Sequence, residues 1–222
     1  MDPAITGPRH LGLGNRPFSS NHPAITFNVG YNLKITGGAA RSLALKTVRG
    51  GAVRPATDRM RQAVFSSLGE AIRGKRFLDL FAGSGAYGLE ALSRGAVGGC
   101  FVEGDRAVLA CLNSNLAAVI KCMGHVEPPC ELNRANVFKW RPATPGSFDL
   151  VFIGPPYDII ESHSHLIFDL AGLCLHQGGE SRVIFEMPGR LELEPAGWKL
   201  ERRLGKGRHS PTVVFYSREI LA

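Results

Sequence analysis

Three short stretches carry residues whose types and spacing could do chemistry. In Leu78-Asp79-Leu80-Phe81-Ala82-Gly83-Ser84-Gly85 an apolar strand runs into a glycine-rich turn and then a helix. Glycines at 83 and 85 let a ligand approach the backbone, and the loop amides and the helix start offer donors. A G-x-G pair alone also suits a nucleotide phosphate. Here Gly83, Gly85 and Gly88 do fall at G-x-G-x-x-G spacing, but no Gly-Lys-Ser/Thr of a phosphate loop follows. Asp79, at the strand end, would repel a pyrophosphate and suit a cation. Glu103 ends the next strand, twenty-four residues on, where a carboxylate can take both ribose hydroxyls. A nucleoside with a positive centre and an amino-acid tail fits an acid at both strand ends, and S-adenosylmethionine is such a ligand. The third stretch, Phe152-Ile153-Gly154-Pro155-Pro156-Tyr157, is an apolar strand ending in a rigid Pro-Pro-aromatic turn.

The surrounding sequence supplies the elements that must hold these stretches. Residues 1–32 are rich in Pro, Gly, Asn and Ser without a helical or strand period, the pattern of a flexible arm. Leu33-Lys34-Ile35-Thr36 alternates, Gly37-Gly38 turns the chain and Arg41-Ser42-Leu43-Ala44-Leu45 alternates again, so 33–46 reads as a hairpin. A helix opens at Arg54-Pro55-Ala56-Thr57, with Thr57 as N-cap and Asp58 at its positive end. Met60, Ala63, Val64, Leu68, Ala71 and Ile72 form its apolar stripe, and Arg59 and Arg61 occupy the other face. Strands then alternate with helices: strand 77–81, helix 86–94, strand 99–103, helix 105–122, a weak strand at 130–132, a turn at 133–136, strand 148–153, helix 161–176 and strand 182–187. Segments 198–204 and 212–217 close as a hairpin around Gly-Lys-Gly-Arg. Repeated β-α units predict an α/β fold with a doubly wound, mostly parallel sheet, which binds ligands beyond the carboxyl ends of its strands where their order reverses. The plan is an arm (1–32), a basic hairpin and helix (33–74) and a ligand-binding domain (75–222).

A chain of 222 residues that is 44% hydrophobic can bury one sizeable core. No apolar run approaches the roughly 18 residues that span a bilayer, and residues 1–32 lack the apolar core of a secretory signal and the amphipathic, Arg-rich pattern of a transit peptide. A soluble, cytoplasmic protein without a membrane partner is expected. The five cysteines show no C-x-x-C spacing and sit mostly in apolar segments, as reduced, buried thiols do. The seven histidines do not cluster, His163 and His165 suit a surface, and no metal site is expected. Charge is lopsided. Residues 34–76 hold ten Lys and Arg against Asp58 and Glu70, a surplus of eight, so the net +7 leaves −1 for the rest. A basic module on a near-neutral body suits a polyanion, the alternative being a solvated charged face.

With these residues assembled, the chain resembles the bacterial small-subunit ribosomal RNA guanine-N2 methyltransferases, class I enzymes that use S-adenosylmethionine to methylate the exocyclic amine of one guanosine in 16S rRNA. The likeness runs from Lys34 to Ser217. It is most specific in Lys34-Ile35-Thr36-Gly37-Gly38-Ala39-Ala40-Arg41, in Arg54-Pro55-Ala56-Thr57-Asp58-Arg59-Met60-Arg61, in the Asp79–Gly85 loop with Gly88-Leu89-Glu90-Ala91-Leu92-Ser93-Arg94-Gly95-Ala96, and in Phe101-Val102-Glu103. The Arg-Pro-x-Thr-Asp-Arg run is not shared by methyltransferases at large. The resemblance implies a seven-stranded Rossmann-like sheet. It assigns Asp79, Phe81, Ala82, Gly83, Ser84 and Gly85 to the methionine part of the cofactor, Glu103 to its ribose, and Asn136 with Val137 to its adenine. Lys34, Gly37, Gly38, Arg41, Arg54, Thr57, Arg59 and Arg61 would hold RNA. The partner implied is small-subunit rRNA or an assembling 30S particle, met by a monomer.

The same resemblance makes Gly154, Pro155, Pro156 and Tyr157 the catalytic turn. Amino-group methyltransferases place (Asp/Asn/Ser)-Pro-Pro-(Tyr/Phe/Trp) there, and this family carries Asp where the chain has Gly154. An acceptor at 154 and the Pro155 carbonyl would hold the amine hydrogens of a poorly nucleophilic nitrogen, while Tyr157 stacks on the flipped base. Asp158, the next residue, is a second candidate acceptor. The reading that follows is an rRNA guanine-N2 methyltransferase, active or attenuated. Its alternative is an RNA-binding assembly factor that kept the fold and lost turnover. A DNA amino-methyltransferase, where Pro-Pro-Tyr is also at home, conflicts with the Arg-Pro-x-Thr-Asp-Arg run.

Overall fold

The structure is a computed structural model that describes residues 27–28, 33–48, 57–124, 128–177, 180–205, 207–208 and 210–219. The predicted hairpin forms over 33–46. Lys34 bridges Ala44 antiparallel, the Ile35 amide donates to Leu43 O (2.9 Å) and the Leu45 amide to Leu33 O (2.8 Å). Its alternation buries Leu33, Ile35 and Leu45. Two short strands were not expected: β1, Phe27–Asn28, pairs antiparallel with β2, Thr47–Val48. The pattern Ile25-Thr26-Phe27-Asn28-Val29 does alternate, but it is buried in a composition that reads as an arm. The other residues of 1–32, and Arg54, lie outside the described residues.

Helix α1, Asp58–Leu68, starts where capping chemistry says it should. The Thr57 hydroxyl oxygen accepts from the Met60 amide at 3.2 Å and Asp58 sits in the first turn. A 3-10 turn, Gly69–Ile72, ends it. The alternating units follow as β3 (Arg76–Leu80), α2 (Ala86–Ser93), β4 (Gly98–Glu103), α3 (Arg106–Cys122), β5 (Cys130–Arg134), β6 (Leu150–Ile153), α4 (Ile160–Cys174), β7 (Arg182–Pro188), β8 (Trp198–Leu204) and β9 (Pro211–Arg218). They build one seven-stranded sheet in the order β5-β4-β3-β6-β7-β9-β8. β3 to β7 are parallel, while β8 and β9 close it antiparallel.

Alternation along each strand splits the core in two. Phe77, Phe101, Phe152 and Ile184 pack with α1, α2 and α3 on one face; Leu78, Leu80, Val151 and Phe185 pack with α4 on the other. The sheet is therefore doubly wound, as the pattern predicted. Gly88 on α2 lies so close to the Phe77 and Phe101 rings that an added Cβ would meet both, so it serves helix–sheet packing. β6 starts at Leu150, later than the apolar run from Phe148. There Phe148 bridges Leu175 instead, and the Asp149 carboxylate accepts from the Arg76 amide at 2.8 Å, pinning the start of β3. Three of the cysteines are buried as expected, but Cys122 ends α3 on the exposed side. Among the described residues no helix is long and apolar enough to cross a membrane.

Candidate active site

The strand order turns back between β3 and β6, and the three chemical stretches leave the sheet at that point. Leu80 pairs with Ile153 on one side and with Val102 on the other. The glycine loop, Glu103 and the Pro-Pro turn thus emerge side by side at the carboxyl edge, with Asn136 beyond β5. Doubly wound sheets bind ligands at this kind of crevice.

The loop is drawn into a cradle by its own backbone. Phe81 holds φ 58° and Gly85, the N-cap of α2, holds φ 80°. A positive φ suits glycine, whereas at Phe81 it is strained, as residues at functional turns often are. The Ala82 amide donates to Val102 O (3.1 Å), and the Gly83 amide to Glu103 Oε2 (3.0 Å). Glu103 Oε1 accepts from the Asp105 amide at 2.9 Å. Asp79 is buried, 3% exposed, and its Oδ2 accepts from the Gly88 amide at 3.0 Å. Burial pushes its carboxyl up to about 8, against the Gly88 hydrogen bond and with help from the charge on Glu103. A buried acid so held gains from a cationic ligand. Asn136 is exposed and its Oδ1 accepts from the Phe138 amide at 2.9 Å, while Val137 is buried. Phe81 meets Phe138 edge-on (5.8 Å), and Phe138 in turn meets His163 (5.0 Å). His163 is thereby half-buried, unlike the surface histidine expected.

At the turn, Gly154 is open. A Cβ built there meets nothing within 4 Å. Pro155 is buried, Pro156 opens a 3-10 turn, Tyr157–Ile159, and Tyr157 is half-buried. Asp158, the residue after Tyr157, is exposed. The Tyr157 hydroxyl donates to Glu186 Oε1 at 3.3 Å, and the Tyr87 hydroxyl to Glu186 Oε2 at 3.1 Å.

The model of the family described as conserved hypothetical protein 95 matches residues 33–214. Ribosomal RNA small subunit methyltransferase D of Escherichia coli is 34% identical over 181 residues, 79% of this chain and 86% of its own length. The chain belongs to this family. The solved structure of the Escherichia coli protein yhhF, 31% identical, superposes with a TM-score of 0.68 over 84% of this chain and 98% of its own. An RNA methyltransferase from Salinibacter ruber, solved with S-adenosyl-L-homocysteine, is 14% identical with a TM-score of 0.53 over 76% of this chain and 97% of its own, and shares the fold.

The family match takes in the hairpin and α1 as well as the sheet, and there the structure corrects two expectations. Arg61 is not displayed to a partner: it is fully buried. Its guanidinium pairs with Asp58 (2.8 Å) and with the buried Glu90 of α2 (3.3 Å), and it donates to Lys34 O. The i,i+3 spacing to Asp58 and an acid waiting on α2 turn it inward. Gly37 is likewise buried, its carbonyl accepting from the Ser93 hydroxyl at 2.6 Å. Gly38 sits so near the Ser93 carbonyl that a side chain would collide with it. Lys34, Gly38, Arg41, Thr57 and Arg59 are exposed.

Three residues escaped sequence reasoning. Asn115 on α3 is buried and joins the hairpin to the glycine loop, donating to Lys46 O and Ser84 O (both 3.0 Å) and accepting from the Lys46 amide at 2.8 Å. Phe138 left no signal beyond its place after Asn136. Glu186 did leave one, as the lone acid in Val183-Ile184-Phe185-Glu186-Met187.

Proposed function

We propose that this chain methylates the exocyclic N2 amine of a guanosine in small-subunit rRNA, using S-adenosylmethionine. The observation that carries the reading is the meeting of an acid-flanked glycine loop and a Pro-Pro-Tyr turn at one switch point, through the Leu80–Ile153 pairing. The donor set fits the cofactor: a buried acid for a cationic amino-acid tail, and a second acid, Glu103, bonded to the loop it would share with a ribose. When bound, the cofactor supplies an electrophilic methyl group. The chain's own residues then do the positioning. The loop amides and Asp79 would hold the tail, Glu103 the ribose, Asn136 and Val137 the adenine. The Pro155 carbonyl would accept from the target amine, and the Tyr157 ring would stack on the extruded base. Lys34, Arg41 and Arg59 would meet phosphates. What the E. coli relative's name says it acts on supports rRNA over DNA as the partner.

One observation favours a second reading. Glycine at 154 offers no side-chain acceptor, so a slow enzyme or an RNA-binding assembly factor is the alternative. Calorimetric titration with S-adenosylmethionine followed by tritium transfer to small-subunit rRNA separates them. Binding with transfer supports the enzyme; binding without transfer supports the factor. In the same assays Arg41→Ala and Arg59→Ala are expected to weaken RNA binding and to flatten its dependence on salt, each by about one counterion in the log–log slope. Unchanged affinity at physiological salt would reduce the basic face to solvated surface.

Asp79 also predicts a pH dependence. A cation at the site favours the ionised carboxylate, so cofactor affinity should rise as pH climbs through about 8. Titrations in buffers of differing ionisation enthalpy would show the proton released on binding. Asp79→Asn should bind weakly and without that pH dependence; an unaltered pH profile in the variant would remove Asp79 from the site.

A further inference from the structure

We propose that Glu186 is a positioning residue, which with Tyr87 clamps the Tyr157 hydroxyl and so fixes the ring on which the target base stacks. This rests on the base-stacking role given to Tyr157 above. Glu186 lies on β7 one residue beyond the Ile153–Phe185 pair, at the strand edge beside the Pro-Pro turn. It is 4% exposed, yet both its carboxylate oxygens are engaged, one by each tyrosine.

The two tyrosines are held very differently. Tyr87 is an anchor: it stacks on Phe152 at 5.4 Å and 16°, and Phe65 of α1 closes on the same Phe152 ring at 5.7 Å. Tyr157 stands half-buried on a 3-10 turn whose N-cap, Pro156, makes no side-chain cap. A stacking platform must keep its tilt, because the face it offers sets where the base nitrogen points. Tying the hydroxyl at the far end of the ring to a carboxylate that is itself tied to the core does this. A buried acid with no such task is costly to retain.

The clamp is graded by protonation. Ionised, Glu186 accepts strongly from both hydroxyls; protonated, it accepts more weakly at one oxygen and must donate from the other to keep the second tyrosine. Burial raises its carboxyl to about 7, opposed by the two tyrosine hydrogen bonds and by Arg61. The groups facing it are Tyr87 from α2, Arg61 from α1 and Tyr157 from the turn, with Asp79 acting on Tyr87. Its β9 neighbour is the apolar Val213. Grip should therefore tighten as pH rises through about 7.

The test is steady-state transfer to small-subunit rRNA, together with rRNA binding by the S-adenosylhomocysteine-loaded protein. Tyr157→Phe keeps the ring and loses the tie, and it should raise KM and the RNA Kd by about tenfold, the worth of one buried hydrogen bond. Its S-adenosylhomocysteine affinity should not move. Glu186→Ala should raise KM and Kd as much, with a lower unfolding midpoint because the buried Tyr87 hydroxyl also loses its acceptor. The double variant should raise KM and Kd no further, since both changes remove the same Tyr157 tie. Glu186→Gln should fall between, with the wild type's fall in KM across pH 7 abolished. A Tyr157→Phe protein with unaltered KM and Kd, or additive effects in the double variant, would overturn the clamp. Absence of transfer by the wild type would overturn the methyltransferase reading instead, and the binding arm would still decide the clamp.

Discussion

Gly154→Asp is expected to raise kcat for methyl transfer to small-subunit rRNA by roughly 30- to 1000-fold, the equivalent of about 2–4 kcal/mol for one well-placed acceptor. The exocyclic amine of guanine is a poor nucleophile because its lone pair is delocalised into the ring. An acceptor on each of its hydrogens turns the nitrogen toward the methyl group and favours a pyramidal centre. The Pro155 carbonyl would supply one such acceptor at most, and Asp158 is exposed one residue past Tyr157. The substitution is sterically free, because an added Cβ at 154 meets no atom within 4 Å and the backbone there is not left-handed. Gly154→Asn should recover part of the gain and Gly154→Ala none, which separates hydrogen-bond acceptance from mere loss of glycine flexibility. RNA affinity should stay within about twofold, since the acceptor acts mainly on the reacting nitrogen. A Gly154→Asp protein that folds, binds cofactor and shows no gain in kcat would remove position 154 from the reaction.

The parts of this molecule that sequence made legible are those governed by local rules. Thr57 caps α1 because a hydroxyl followed by an acid and an apolar stripe can do little else. Leu80–Ile153 pairing could be anticipated in kind, since a strand, a glycine turn and a helix in succession demand a parallel neighbour. What stayed hidden is set by tertiary partners. Arg61 and Arg59 look alike on the chain, and only the placement of Glu90 on another helix decides which of them turns inward. Phe148 has the character of a strand residue, yet it is claimed by Leu175. Glu186 stands out as an acid in an apolar strand, but the two tyrosines that engage it come from positions 99 and 29 residues away. Asn115 is similar: a polar residue in a helix of mixed character whose three hydrogen bonds all run to distant loops.

Arg61→Ala is expected to cost about 3 kcal/mol of folding stability, a fall in unfolding midpoint of roughly 6–12 °C for a domain of this size. Both side chains of the Arg61–Glu90 pair are fully buried, so removing the cation strands an acid in the core. The loss sits at the low end for such pairs because Glu90 keeps other partners. Arg94 Nε donates to it at 2.8 Å, and the Thr36 amide and hydroxyl each donate at 2.7 Å. Arg61 also donates to Lys34 O, so its loss loosens the hairpin that carries Lys34 and Arg41. Arg61→Lys should recover only part of the stability, since one ammonium cannot reach Asp58, Glu90 and the Lys34 carbonyl together. Arg59→Ala, two residues away and exposed, should leave stability within about 0.5 kcal/mol while weakening RNA binding. Urea unfolding and RNA binding measured on the same three variants separate the roles. If Arg61→Ala keeps wild-type stability and loses RNA affinity as Arg59→Ala does, Arg61 belongs to the RNA surface and its inward ion pair contributes nothing to the fold.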